Sequence, residues 1–229
     1  EKMLKNGRVF PADVNPKFSI LNPEYTFTVP AYQVSSGIFD IMSHLMEQYF
    51  SGTDDNTSDY ILEGLMRSLI HSAKIAVKNP TDYEARSNIM WCATAALNTI
   101  SGLSKEQDWE VHMIEHQIGA YTDCAHGAGL AVVSVPYYKY IAPYGTDKFA
   151  RFAKDVWGID TSKMTVSEAA DAGIEKLAEF IKIIGLPTTL RELGATEEML
   201  PLIANSTIVG GGYKVMKSED ILTVLKECY

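Results

Sequence analysis

The segment that decides the fold reads SSGIFDIMSHLME and covers residues 35–47. Asp40 and His44 are four residues apart in it, so in a helix both side chains project from the same face. Most of the neighbouring residues are apolar, and an unpartnered carboxylate among them would be unfavourable to bury. The segment therefore predicts a helix in which Asp40 has a metal ion or a hydrogen-bond partner.

Apolar residues recur at helical spacing from Val34 to the end of the chain, which predicts a mainly α fold built as a helical bundle. The predicted helices cover residues 36–50, 58–78, 82–102, 105–120, 127–140, 146–157, 166–184, 197–205 and 219–228. Three of them begin with a pattern typical of a capping box, at Thr81/Glu84, Ser104/Gln107 and Thr165/Glu168.

Residues 1–33 differ from the rest of the chain. Two short β-like runs, residues 8–10 and 17–21, are separated and followed by prolines. We interpret them as strands whose sheet partners are not in this chain. The sequence thus predicts a strand-and-loop segment over 1–33 and one helical domain over 34–229.

Four of the five histidines fall into two short windows, and the second window reads DWEVHMIEHQIGAYTDCAHG over residues 108–127. Helical spacing alone pairs His112 with His116, while His126 follows a predicted break at 119–123. Imidazole nitrogens with one carboxylate oxygen suit Zn²⁺ or Fe²⁺, and the lack of thiolates disfavours a closed structural zinc site. The donor set indicates a catalytic metal.

Other interpretations of these windows stay open at this point. Asp40 and His44 could form only a hydrogen-bonded pair on a helix face. Residues 112–116 fit the H-x-x-E-H pattern of inverted zinc peptidases, in which Glu115 would activate water, but this leaves Asp40, His44 and His126 without a function. A non-catalytic helical module, with a metal as a structural staple or with none, is a further alternative.

Two features receive structural interpretations. His71 has no partner nearby in sequence and is assigned to a helix without a chemical role. Gly210-Gly211-Gly212 lacks the G-x-G-x-x-G spacing and a preceding strand, so it is predicted to be a loop and not a phosphate-binding turn.

Composition excludes several classes of partner. The net charge is −9, and no cluster of Lys and Arg with aromatic residues indicates nucleic-acid binding. The longest uncharged stretch, 87–104, contains too many polar residues for a membrane span and is predicted to be a buried core helix. Three widely spaced cysteines are typical of free thiols in a reducing compartment, which predicts a cytoplasmic protein.

Several groups of residues share the spacing of a known family. They are Asn15-Pro16-Lys17, Asn22-Pro23-Glu24-Tyr25-Thr26, Ser36-Gly37-x-x-Asp40-x-x-x-His44-x-x-Glu47-x-Tyr49, His112-x-x-x-His116 and His126-Gly127. In this pattern the chain resembles the iron-containing (group III) alcohol dehydrogenases, and most closely their butanol-dehydrogenase branch. The resemblance extends from about residue 15 to at least residue 157 and continues weakly to the C-terminus.

The resemblance implies a specific set of ligands. Asp40, His44, His112 and His126 would hold one divalent metal ion, Fe²⁺ by preference or Zn²⁺. His116 would lie near the nicotinamide without binding the metal. On this point the resemblance replaces the pairing of His112 with His116 that helical spacing favours.

The resemblance also implies the wider context. The helical domain would be the dehydroquinate synthase-like C-terminal domain, and residues 1–33 would be the remnant of an α/β nucleotide-binding domain. That domain carries a Gly-Gly-Gly-Ser loop for the diphosphate of NAD or NADP, and no such loop occurs in this chain. We therefore expect a homodimeric enzyme that interconverts primary alcohols and aldehydes by metal-assisted hydride transfer, and an isolated chain that binds metal but is inactive.

Overall fold

The computed structural model describes residues 16–52, 56–102, 105–210 and 212–229. Within these residues the chain forms helices α1 (Ala31–Tyr49), α2 (Thr57–Ala76), α3 (Tyr83–Ala96), α4 (Glu110–Thr122), α5 (His126–Ile141), α6 (Thr146–Arg151), α7 (Val166–Ile183), α8 (Met199–Ser206) and α9 (Ser218–Glu227). A π-helical turn, Phe152–Val156, continues α6, and short 3₁₀ helices occur at Pro23–Thr26 and Ala142–Tyr144. The described residues contain no strand, which confirms the mainly α prediction.

Helix α1 is the centre of one half of the molecule, because it packs against α2, α3, α4 and α5. It is buried on most of its circumference, as expected for a helix with neighbours on several sides. Three of its buried polar side chains are held by hydrogen bonds: Ser43 Oγ donates to Glu47 Oε1 at 2.9 Å, and Gln48 Nε2 donates to the carbonyl of Ala96 at 2.7 Å. The helix therefore has a fixed rotation and position against its neighbours.

Helix α5 joins the two halves. It packs against α1 and α4 at one side and against α7 and α9 at another. An aromatic cluster anchors it, in which Phe50 stacks on Phe149 at a centroid distance of 4.1 Å and Tyr138 packs against both rings. Because these rings are almost completely buried, the region forms a rigid support for the C-terminal part of α5.

The predicted helix over 105–120 is wrong at its start, since α4 begins at Glu110. The backbone N–H of Asp108 donates to the carbonyl of Glu47 at 3.0 Å, and Trp109 has a left-handed backbone with φ 64°. The Asp108 carboxylate then accepts from the backbone N–H of Glu110 at 3.2 Å. A tertiary contact with α1 therefore keeps these residues out of the helix.

The predicted helix over 82–102 is also too long, because α3 ends at Ala96. Asn98 Oδ1 accepts from the backbone N–H of Ile100 at 3.1 Å, and Thr99 has a positive φ of 75°. These turns are incompatible with a continuing helix. The prediction of a buried core helix was wrong for one side of α3, where Trp91 is 61% exposed.

Helix capping follows the predictions in part. The capping box of Thr165 and Glu168 is present at the start of α7, as predicted. The box predicted at Thr81 and Glu84 is wrong, because Asp82 is the capping residue and its Oδ1 accepts from Ala85 N at 2.9 Å. Ser104, of the third predicted box, lies outside the described residues.

The strand predicted over residues 17–21 is wrong, because these residues are irregular and Phe18 and Ile20 are 81% and 86% exposed. Among the residues that the structure describes, this run has no strand beside it with which to form a hydrogen-bonded ladder. The run at 8–10 lies outside the described residues. Helix α1 starts at Ala31, three residues before the predicted start of the helical domain at residue 34. The division of the chain after residue 33 stays a prediction.

Two further observations bear on the expectations from composition. Within the described ranges, no helix combines the length and the apolar character that crossing a bilayer requires. No disulfide joins Cys92, Cys124 and Cys228, which agrees with the prediction of thiols.

Candidate metal centre

Four side chains from three helices converge on one point. The Oδ1 atom of Asp40 lies 3.6 Å from His44 Nε2, 3.5 Å from His112 Nε2 and 3.4 Å from His126 Nε2. Asp40 and His44 come from α1, His112 from α4 and His126 from the first residue of α5. The structure therefore brings together the four residues that the resemblance implies as ligands.

The convergence leaves polar atoms unsatisfied. Asp40 Oδ1 and His112 Nε2 are buried, and neither has a hydrogen-bond partner within the described part of the chain. Buried polar atoms of native proteins nearly always have partners, and an orphaned atom is destabilising. Nitrogen and oxygen donors bind zinc at about 2.0–2.2 Å, and one cation between these atoms would satisfy both of them. The residues present fit a divalent metal ion.

Two buried glutamates orient the imidazoles. Glu47 accepts from Nδ1 of His112, and its second oxygen accepts from the backbone N–H of His112 at 3.2 Å. Glu115 accepts from Nδ1 of His126. A carboxylate on Nδ1 fixes the tautomer in which Nε2 carries the free lone pair, and this arrangement recurs around metal sites.

The sequence interpretation missed these two glutamates. In the sequence Glu47 belongs only to the pattern shared with the family, and Glu115 only to a peptidase motif, as its water-activating residue. The structure assigns Glu115 to His126 and buries it to 2% exposure, so its carboxylate is not available to a water molecule in the way that motif requires. The only available signal was the position of each Glu three residues after a histidine, and it does not identify the partner.

His116 is exposed and lies beside this group of four. Its ring stacks on His126 at a centroid distance of 5.7 Å and lies edge-on to His112 at 6.2 Å. Together with Glu115 and His126 it forms a second group of donor atoms that all lie within 4.8 Å of one another. Partial burial lowers the pKa of His116. The fifth histidine, His71, is exposed on α2.

The electrostatics of the cluster favour an anionic Asp40. Burial raises the pKa of Asp40, but contacts with His112 and His126 outweigh burial and hold that pKa well below its usual range. Burial lowers the pKa of His112 and of His126, yet the carboxylates around them raise these values to about 9 and about 10. Without a cation the two imidazoles therefore hold protons, and a metal ion has to displace them.

Close packing of α5 on α1 brings His126 to the cluster. A Cβ atom at Gly127 would lie 1.9 Å from the carbonyl oxygen of Ser36, so only glycine permits this approach. The residue that follows His126 therefore determines whether its imidazole reaches Asp40. This gives a physical reason for the His-Gly pair in the sequence.

A loop around the triple glycine closes over the start of α4. The backbone N–H of Gly210 donates to Glu110 Oε2 at 2.7 Å, and Gly212 has φ 105° and lies against the Asp108 carboxylate. Asp108 also accepts from the hydroxyl of Tyr137 on α5 at 2.7 Å. The described glycines are part of a loop, as predicted, and the groups next to them are carboxylates, which do not suit a phosphate.

Comparison with known proteins identifies similar chains. Residues 33–229 match the Fe-containing alcohol dehydrogenase family, C-terminal. The chain is 39% identical over 224 residues to NADH-dependent butanol dehydrogenase A of Clostridium acetobutylicum, covering 95% of this chain and 57% of that one. It is 32% identical over 220 residues to the NADPH-dependent aldehyde reductase YqhD of Escherichia coli, covering 95% and 56%.

A solved structure has the same fold. The crystal structure of NADH-dependent butanol dehydrogenase A from Thermotoga maritima aligns with a TM-score of 0.90 and 33% identity, covering 96% of this chain and 58% of that chain. The chain thus spans somewhat more than half the length of these relatives.

Proposed function

Because the chain belongs to the Fe-containing alcohol dehydrogenase family, whose C-terminal portion it matches, we propose that it is the metal-binding part of an NAD(P)-dependent alcohol dehydrogenase. The resemblance to the butanol-dehydrogenase branch is confirmed by the relatives. The proposed reaction interconverts primary alcohols and aldehydes, which is supported by relatives named butanol dehydrogenase and aldehyde reductase. The observation that carries the proposal is the convergence of three imidazole Nε2 atoms on Asp40 Oδ1.

Asp40, His44, His112 and His126 would hold the ion, and we propose iron because the family is named for it. The donor set also binds zinc. When bound, the ion supplies Lewis-acid polarisation of the alcohol or carbonyl oxygen. Asp40 offsets part of the positive charge, and the two buried glutamates keep the imidazole rings of His112 and His126 in place.

The remaining chemistry is a transfer of hydride and a proton. In alcohol oxidation the substrate carbon gives a hydride to the nicotinamide, and the hydroxyl gives up its proton. His116 is exposed, and its ring stacks on that of His126. We propose that an imidazole nitrogen of His116 receives this proton or that the ring packs against the nicotinamide. Placing both reactants side by side is the main contribution of the protein.

We propose that these 229 residues bind the metal but do not catalyse the reaction alone. The family's Gly-Gly-Gly-Ser loop for the cofactor diphosphate does not occur in the chain, in which Gly210-Gly211-Gly212 is followed by Tyr213. The NAD(P)-binding residues would belong to the part of the relatives that the chain does not cover. A homodimer is implied by the resemblance and stays a prediction.

Metal analysis tests the ligand assignment. We expect the purified chain to contain about one iron or zinc ion and His126→Ala to lose it, because the substitution removes a direct ligand. His71→Ala is the matched control, since this histidine is exposed on α2. Stoichiometric metal in His126→Ala, or none in the unsubstituted chain after iron and zinc are supplied, would contradict the proposal.

A further inference from the structure

Trp109 holds an unusual backbone conformation directly before α4. Its φ of 64° lies in the left-handed region, which bulky side chains rarely adopt. Such a conformation persists only where the surrounding structure over-determines it, and it is often associated with a functional site. Trp109 is therefore a residue whose placement requires an explanation.

Contacts on both sides hold Trp109 in place. The indole Nε1 donates to Gln107 Oε1 at 2.6 Å, and Gln107 Nε2 donates to the carbonyl of Gly102 at 2.9 Å. The preceding residue is fixed to α1 through the bond between Asp108 N and the Glu47 carbonyl. The indole thus has a defined orientation even though it is only partly buried.

The indole faces two of the imidazoles that converge on Asp40. Its ring lies 5.8 Å from that of His44 at an interplanar angle of 61°, and 5.3 Å from that of His112 at 73°. These near-perpendicular arrangements are favourable for aromatic rings. His44 and His112 also stack on each other at 4.8 Å and 13°. Indole and imidazoles form one packed group.

The three imidazoles differ in how they are oriented. His112 and His126 each donate Nδ1–H to a buried glutamate, whereas His44 has no hydrogen bond to its Nδ1 within the described residues. The ring of His44 instead packs against both the indole of Trp109 and the ring of His112. For His44, packing against Trp109 takes the place of the carboxylate that orients each of the other two imidazoles.

We infer that Trp109 is a positioning residue for the metal centre, which fixes the ring of His44 in the orientation that directs Nε2 towards Asp40. This inference rests on the proposed metal site. Its consequence is that the identity of residue 109 affects metal affinity and ligand geometry, although its side chain contributes no ligand atom.

Cobalt binding provides the test, because the visible absorption bands of Co²⁺ report on the geometry of its ligands. We expect Trp109→Leu to weaken Co²⁺ binding by about 10-fold, at the lower end of the effect of residues that orient ligands, and to change the visible spectrum. Trp109→Phe should have an effect between those of Trp109→Leu and the unsubstituted chain, because it keeps an aromatic ring but loses the hydrogen bond to Gln107. Trp91→Phe is the control, since Trp91 is 61% exposed on α3.

A second variant covers the case in which Trp109→Leu does not fold. Gln107→Leu removes the hydrogen-bond partner of the indole and leaves residue 109 intact, so it should weaken Co²⁺ binding in the same direction. Unchanged affinity and an unchanged spectrum in a folded Trp109→Leu, or in Gln107→Leu, would overturn the inference. Failure of the unsubstituted chain to bind Co²⁺ is a different result, because it would overturn the proposed metal site itself.

Discussion

Two carboxylates in this molecule have opposite surroundings. Both oxygens of Asp59 on α2 are paired, with Lys105 Nζ at 2.5 Å and Lys148 Nζ at 2.5 Å, and Glu63 nearby pairs with Arg151 Nε at 2.6 Å. Asp40 on α1 faces three imidazoles, yet its Oδ1 has no hydrogen-bond partner among the described residues. We call the first group the closed network and the second the open cluster.

The difference teaches how a structural charge cluster can be told from a ligand site. The closed network satisfies its charges with protein groups, so it needs nothing further to be stable. The open cluster leaves atoms unsatisfied and orients them with carboxylates placed behind the imidazoles, an arrangement that suits a cation. Composition alone does not distinguish the two, because both contain buried ionisable residues.

The largest expected effect comes from breaking the closed network. Asp59→Asn removes the negative charge that two lysines with buried ammonium groups share, so we expect the free energy of unfolding to fall by about 3–5 kcal/mol. Urea denaturation measures it, with the exposed Asp171→Asn as control. The matched change in the open cluster, Asp40→Asn, should lower the metal-free stability by less, because the imidazole partners of Asp40 can release their protons whereas the lysines beside Asp59 stay charged. Equal losses in the two variants would contradict the comparison.

A bound metal ion should satisfy the unpaired atoms of the open cluster and so stabilise the folded chain. At an ion concentration of about 100 times Kd, binding to the folded state alone increases the free energy of unfolding by about 2.7 kcal/mol. We expect removal of the ion by a chelator to lower Tm while the helical circular dichroism at 25 °C stays unchanged. Loss of helix on chelation would instead indicate a structural metal.

The buried Asp108 gives a pH dependence of stability in the metal-free chain. Burial raises the pKa of Asp108 to about 7, so the folded state binds this proton more tightly than the unfolded chain does. The contribution to stability is therefore complete below about pH 4 and is lost as the pH rises towards 7. Between pH 5 and pH 8 we expect the unsubstituted chain to lose on the order of 2 kcal/mol more than Asp108→Asn in urea denaturation. Parallel pH profiles would contradict this.

The smallest expected effect concerns the glutamates that orient the imidazoles. Glu115→Gln should weaken metal binding by about 10-fold, because the amide accepts a weaker hydrogen bond from His126 Nδ1. Glu63→Gln, in the closed network, should reduce stability without changing metal affinity. Isothermal titration with Zn²⁺ compares the two variants. Equal affinities for Zn²⁺ in Glu115→Gln and Glu63→Gln would contradict the distinction between the closed network and the open cluster.

Much of the fold was predictable because helical spacing is a local signal. The extents of α2, α7 and α9 agree with the predicted ranges to within about two residues. The start of α4 was not predictable, since Asp108 is held by the carbonyl of Glu47 on another helix. The helix ends that were predicted wrongly are those where a tertiary contact or a turn outweighs the apolar pattern.

The candidate site was predictable in part for the same reason. Asp40 and His44 are recognisable from their spacing on one helix. Spacing alone pairs His112 with His116, and the approach of His126 depends on the contact of Gly127 with Ser36, which only the folded chain shows. The bond between Glu47 and His112 likewise joins residues 65 positions apart. A resemblance to a family supplied what the spacing could not.

Anomalous scattering from a crystal of the chain as purified, measured at the iron and zinc edges, tests the metal centre most directly. We expect a single peak in contact with Asp40 Oδ1 and with Nε2 of His44, His112 and His126, and no stronger peak elsewhere. A peak at Glu115 and His116 that leaves Asp40 without a metal, or no peak after the chain has been loaded with either ion, would contradict the assignment of this cluster as the metal site.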